Sequence, residues 1–299
     1  MTSRLPIRQD LSVLPRVEDG WAFLYAEHKQ IHQDHFALSM VSPEGAVQIP
    51  CSQFNVLLLG PGCTITSSAM TMLADHGCSI VWVGENGVRC YANASPKTNK
   101  SDNVCRQAKA WADHKERSKT IRRMYVMRYG LDFPESDDVN VLRGHEGGRV
   151  KQAYLDHAVK HNLTWKNRRW ARGQWDATDN INQCLSVASS CLYGLCHSAI
   201  VAVGFSPALG FIHQGDMRSF VLDIADMYRE TFTIPIAFEA MVKCNTSTVE
   251  GFVRRKCRDA FHDQKLLDRI VPDIYEVLGL ARVGSKYVDI TAWEALKTR

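Results

Sequence analysis

The run INQCLSVASSCLYGLCHSAIVAVG, residues 181–204, constrains this chain more than any other segment. It is apolar nearly all round rather than along one stripe, as expected of a helix buried on every side. A chain carrying such a helix must wrap others around it, and the segments after residue 103 supply them. RQAKAWADHKERSKTIRRMYVMRYG reads as one long charged amphipathic helix stopped by Gly130. GHEGGRVKQAYLDHAVKHN reads as a second, and RSFVLDIADMYRETF, PIAFEAMVKC and TVEGFVRRKCRDAFHDQKLLDRIVPDIYEVL as further helices.

The first third is different. WAFLYAEH and HFALSMV are β-rich and predict a hairpin, followed by VQIP and FNVLLLG. ITSSAMTMLADHG reads as one short helix ended by Gly77. SIVWVG and VRCYANA flank the turn Glu85-Asn86-Gly87, and Asn-Gly between β-rich runs is a strong hairpin signal. A polar Pro- and Ser-bearing stretch then reads as a linker. The expected fold is α+β: a β-rich, sandwich-like domain at 1–95, a linker at 96–103, and an all-helical domain at 104–299.

Composition narrows the class. Of 299 residues, 45% are hydrophobic and 23% charged, ordinary values for a globular protein. The longest apolar stretch, Leu195 to Phe211, is interrupted by His197, Ser198, Ser206 and Pro207, so no membrane span is expected. The N-terminus has no apolar signal region. Ten cysteines include no Cys-x-x-Cys pair and match neither a zinc framework nor a disulfide scaffold, which predicts a reduced, cytoplasmic setting. Charge is uneven: residues 1–95 carry 5 Lys/Arg against 8 Asp/Glu, the remainder 31 against 24. The basic helical part suits a polyanion.

Three constellations offer chemistry. In FIHQGDMRSFVLDIAD, Asp223 and Asp226 are three apart in an otherwise apolar helix, with His213 upstream and Asp216 as a further polar residue. Carboxylates on one helical face repel unless a cation lies between them, and Mg2+ or Mn2+ suits carboxylates with imidazole. Arg218 or Arg229 offers the alternative of simple neutralisation. In RGHEGGRVKQAY, Glu146 opens a helix-like run beside Gly147 and Gly148, which permit close approach; a dipole-favoured first-turn acid is the plainer alternative. In TWKNRRWARGQW, Arg168 and Arg169 lie among Trp165, Trp170 and Trp175, a composition suited to phosphates and stacked bases. Arg254, Arg255, Lys256 and Arg258 form a second basic cluster. Two features are decoys: His28, His32 and His35 straddle an expected turn around Gln33-Asp34, and GPGCTITSS lacks the Lys-Ser/Thr ending of a phosphate loop.

The order RGHEGGRVKQAY, TDNINQCLS, PALGFIHQGDMRSFVLDIAD resembles the CRISPR-associated spacer-acquisition integrase and endonuclease family, most closely the Cascade-linked type I-E subtype. The resemblance implies an N-terminal domain that dimerises and a helical catalytic domain. It implies metal ligands at Glu146, His213 and Asp226, with Asp223 as an adjacent catalytic acid, and Mg2+ or Mn2+ as cofactor. It places DNA contacts at Arg89, Arg168, Arg169, Arg229 and Arg254, with Asn182 and Tyr193 in support, and Tyr25 near the family's aromatic wedge. Implied partners are double-stranded DNA (protospacer and CRISPR repeat), a second copy of the chain, and a small second adaptation protein bridging two dimers. The implied reaction is attack by a DNA 3′-hydroxyl on a phosphodiester at the repeat boundary. The alternatives are a metal-dependent nuclease of branched DNA without integration, a non-catalytic DNA scaffold, and a homodimeric helical protein with no nucleic-acid role.

Overall fold

The computed structural model describes residues 23–35, 37–43, 45–50, 56–85, 90–94, 101–136, 138–168, 179–243, 249–283 and 286–289. The fold is α+β, with sheets in the N-terminal third and helices dominating the rest. Strands β1 (Phe23–Ala26), β5 (Val56–Leu59), β7 (Ser79–Val83) and β8 (Cys90–Ala94) form one sheet in the order β1-β5-β7-β8. The first three run parallel and β8 antiparallel to β7. VLLL is buried at all four positions, as a strand must be when both faces of its sheet are covered. The period-2 alternation assigns the faces. Leu24, Leu57, Leu59 and Ile80 face a second sheet and α1 (Ser67–Asp75), while Tyr25, Val56, Leu58, Val81 and Val83 join the helical core.

The second sheet has the order β4-β3-β2-β6, from β2 (Gln30–Asp34), β3 (Ala37–Ser42), β4 (Gly45–Pro50) and β6 (Thr64–Ile65). The expected pairing of WAFLYAEH with HFALSMV does not occur. β1 pairs with β5, and β3 pairs with β2 and β4. The hidden strand is QIHQD, whose one fully buried side chain is Ile31. Its polarity disguises it, and its turn falls at His35, with φ of 53°. The β7–β8 pairing matches the expected hairpin, though Asn86 and Gly87 lie outside the described residues.

The helical part contains α2 (Asp102–Ala112), α3 (His114–Tyr129), α4 (Val139–Lys160), α5 (Asn180–Ala202), α6 (Ser219–Tyr228), a π-helical turn Arg229–Thr233, α7 (Ile234–Lys243), α8 (Val249–Asp263) and α9 (Leu266–Val277). The expected single helix before Gly130 is two. Asp113 accepts from the N–H groups of Lys115 and Glu116, so a capping carboxylate restarts the helix inside the charged run. A hairpin of β9 (Leu280–Val283) and β10 (Lys286–Asp289) follows α9, so the C-terminal part is not all helical.

Helix α5 is the axis. It packs against α6, α7, α8 and α9 and against strands β7 and β8. It is long and apolar enough to cross a membrane by length and composition, which exceeds the sequence expectation. Yet 72% of that window is buried inside the fold. The apolar core therefore runs across the sequence-based division near residue 95, of which residues 95–100 lie outside the described set.

Candidate active site

The site is built at one side of α5, where α3, α4, α6 and the loop before α6 meet. The loop, residues 203–213, is fastened from both sides. Gln107 of α2 is fully buried; its amide donates to the carbonyls of Ser206 (2.9 Å) and Leu209 (3.1 Å) and accepts from Ser206 N–H (2.7 Å). Asn103 donates to Val203 O, and Arg117 of α3 donates twice to Phe211 O, at 3.1 and 2.6 Å. Gly210 is required where it stands: a Cβ there would meet His213 O at 2.5 Å and Ser219 C at 2.6 Å.

Asp223 completes the fastening. One carboxylate oxygen accepts from Phe211 N–H (2.5 Å) and Ile212 N–H (3.1 Å). The other accepts from His213 N–H (2.9 Å) and lies 2.8 Å from His213 Nδ1. The carboxylate is fully buried. Asp223 is engaged by four donors of the loop, whereas the charged partner of Asp226 is Arg229, so the two aspartates of one helix have unlike partners. The hydrogen bond to Asp223 holds the imidazole pKa above its usual range, against the pull of burial.

With Nδ1 so engaged, His213 Nε2 points towards Asp226, 3.9 Å from Oδ2. Asp226 is buried, and burial raises its carboxyl pKa; Arg229, Arg128 and His213 counteract this and Glu146 adds to it. Arg229 Nη2 lies 2.5 Å from Asp226 Oδ1, but without hydrogen-bond alignment, and that oxygen has no hydrogen-bond partner among the described residues. Arg229 also donates to Tyr193 Oη at 3.2 Å, which brings Tyr193 to the rim.

Glu146 reaches the same space from α4. It sits in the third turn of that helix rather than opening it, because Asp138 caps the true start. Gly144, Gly147 and Gly148 are interior helical residues whose absent side chains face open space. Tyr125 donates to Glu146 Oε2 (3.0 Å), and Arg128 bonds its other oxygen. The second Nη of Arg128 donates to Glu230 Oε1 (2.7 Å), which also accepts from Tyr129 (2.7 Å). Burial opposes the Arg128 charge, but Glu146, Tyr129, Asp226 and Glu230 outweigh it and raise its pKa. Sequence reasoning missed Gln107, Arg117, Tyr125, Arg128 and Glu230, none of which belongs to a motif.

A cleft of about 350 Å³ opens beside His213, lined by Arg117, Val139, Asn140, Arg143, Ile212 and Gln214. Arg143 lies three residues before Glu146, hence on the same helical face. The donor set of Glu146, His213 and Asp226, with its orphaned buried oxygen, suits a hard divalent cation in chemistry. Arginines hold both carboxylates here, and among the described residues no three such side chains stand close enough together to hold a metal ion.

Of the remaining predicted residues, Arg168 is a charge neighbour of Arg229 and Tyr193. Arg168 donates to Asn182 O (3.2 Å), Asn182 Oδ1 (2.9 Å) and Ser186 (3.1 Å), and Asn182 is itself buried and bonded to Asp179 and Asn167. The two stabilise the first turn of α5. Arg254 pairs with Glu250 on α8. Tyr25 is buried in the core with its hydroxyl on Glu27 (2.6 Å), not exposed as a wedge. Arg89 and Arg169 lie outside the described residues.

Residues 23–130 and 125–265 match the family described as CRISPR associated protein Cas1. The chain is 40% identical over 89% of its length to a "CRISPR-associated endonuclease Cas1 2" of Thermus thermophilus, covering 82% of that protein. It is 37% identical to the "CRISPR-associated endonuclease Cas1" of Escherichia coli K12, covering 89% of this chain and 88% of that one. The fold superposes on a solved TtCas1–DNA complex with a TM-score of 0.82 at 40% identity, covering 89% and 99% of the two chains.

Proposed function

The chain belongs to the Cas1 family of CRISPR-associated endonucleases, and from that premise we propose that it is a metal-dependent DNA integrase that inserts short duplexes into a CRISPR array. The observation that carries this reading is the approach of His213 Nε2 to Asp226 Oδ2 at 3.9 Å, with Glu146 acting on the same buried carboxylate, beside a cleft lined by Arg117 and Arg143.

Glu146, His213 and Asp226 would hold Mg2+ or Mn2+, which would supply Lewis acidity at a phosphodiester. Asp223, bonded to Nδ1, fixes the tautomer that leaves Nε2 as the ligand lone pair, the usual carboxylate–histidine support of a metal site. Arg143 and Arg229 would supply the positive charge that meets the phosphate. In the reaction a 3′-hydroxyl of the incoming duplex forms a new bond to phosphorus and the repeat strand's bond to its own 3′-oxygen breaks. The proton lost by the attacking hydroxyl balances the one gained by the leaving oxygen. Water as nucleophile at the same site gives the nuclease reaction, in keeping with the relatives being endonucleases. Double-stranded DNA, a second copy of this chain and a small bridging adaptation protein are the proposed partners, in the cytoplasm.

The test is strand transfer of a labelled short duplex into a supercoiled plasmid carrying a repeat, with Mg2+ or Mn2+ and the second adaptation protein. Label joined by the wild type but not by Asp226→Ala or with chelator is the expected result. Metal-dependent cutting without joining would reduce the reading to a nuclease, and bound DNA with neither reaction would leave a scaffold.

A further inference from the structure

Arg128 stands outside every sequence motif, yet it is the most constrained cation of the site. Its side chain is 6% exposed. One Nη bonds Glu146 of α4, and the other bonds Glu230 in the π-helical turn. Its Cζ lies 4.7 Å from the centroid of the Tyr129 ring, and Tyr129 donates to the same Glu230 oxygen. Glu230 follows Asp226 by four residues, so holding Glu230 holds the segment that carries Asp226. Helix α3, which bears Arg128, packs directly on α6, whereas α4 packs on α7. The guanidinium is thus a strut between the segment bearing Glu146 and the segment bearing Asp226.

Resting on the metal-site reading above, we propose that Arg128 is a positioning residue that sets the separation and aim of Glu146 relative to Asp226 for cation binding. Lysine cannot take this place, because a single ammonium lacks the planar fork that bonds two carboxylates at fixed geometry. The role belongs to the shell behind the ligands, where substitution weakens metal binding without removing a ligand.

Calorimetric Mn2+ titration of the full chain tests this, on wild type, Arg128→Lys, Glu230→Gln, Glu146→Gln and the Arg128→Lys/Glu146→Gln double variant, each checked by circular dichroism. Arg128→Lys and Glu230→Gln are expected to bind Mn2+ about 10–100-fold more weakly than wild type. Once Glu146 is neutral, adding Arg128→Lys is expected to change affinity less than about twofold, since coupled residues do not add. Arg128→Lys binding like wild type overturns the proposal alone, as does an equal loss in the Glu146→Gln background, which would mean general loosening. Wild type that binds no Mn2+ overturns the metal site and the proposal with it. If Arg128→Lys does not fold, Glu230→Gln decides by the same titration, with wild-type affinity overturning the proposal.

Discussion

The two sides of the site are held by different physics. His213 is fixed through the backbone of its loop: the amide of Gln107, the guanidinium of Arg117 and the buried carboxylate of Asp223 bond its carbonyls and amides. Glu146 and Asp226 are held by opposed charges, through Arg128 and Arg229. The second is an arrangement of largely buried carboxylates and arginines, and its ion pairs contribute little net stability because desolvation offsets attraction.

Four substitutions would break or sharpen this contrast. Asp223→Ala is expected to cost about 3–5 kcal/mol, because it strands three buried N–H groups and the histidine. Urea denaturation with unchanged slope measures it, and a cost no greater than that of Asp226→Asn would erase the contrast. Gln107→Leu is next, at about 3 kcal/mol, for three backbone groups of Ser206 and Leu209 left without partners. Hydrogen exchange at residues 204–213 should accelerate with it. Gly210→Ala is expected to cost about 2 kcal/mol, because the new methyl meets backbone atoms rather than a yielding side chain. Asp226→Asn is the smallest, within about 1 kcal/mol of wild type in either direction, since it removes a carboxylate whose charge burial already disfavours. The same variant should lose the Mn2+-induced rise in melting temperature. A large destabilisation by Asp226→Asn would show that the charged side is structural after all.

What the sequence made legible was local. The all-round apolar pattern located α5, Asn-Gly located the β7–β8 hairpin, and the Asp-x-x-Asp spacing singled out α6. The two aspartates, however, have unlike partners, one the preceding loop and one Arg229, and spacing alone could not separate them. The glycines around Glu146 looked like the opening of a helix and proved to be its interior. Arg128, Arg117 and Gln107 find their partners 18 to 102 residues away, and no periodicity or motif in a single chain reports a pairing at that range. Arg168 looked like a DNA contact because its neighbours are aromatic and basic, yet its bonds are to the N-terminal turn of α5.

The fastening of residues 203–213 has a thermal consequence. Local opening requires a segment with few buried contacts and replaceable bonds, and this loop is tied to α2, α3 and α6 at once. The imidazole therefore has no private route to disorder. On heating, loss of the site and loss of the helical core should occur at one temperature rather than two, with no interval in which a folded molecule is inactive.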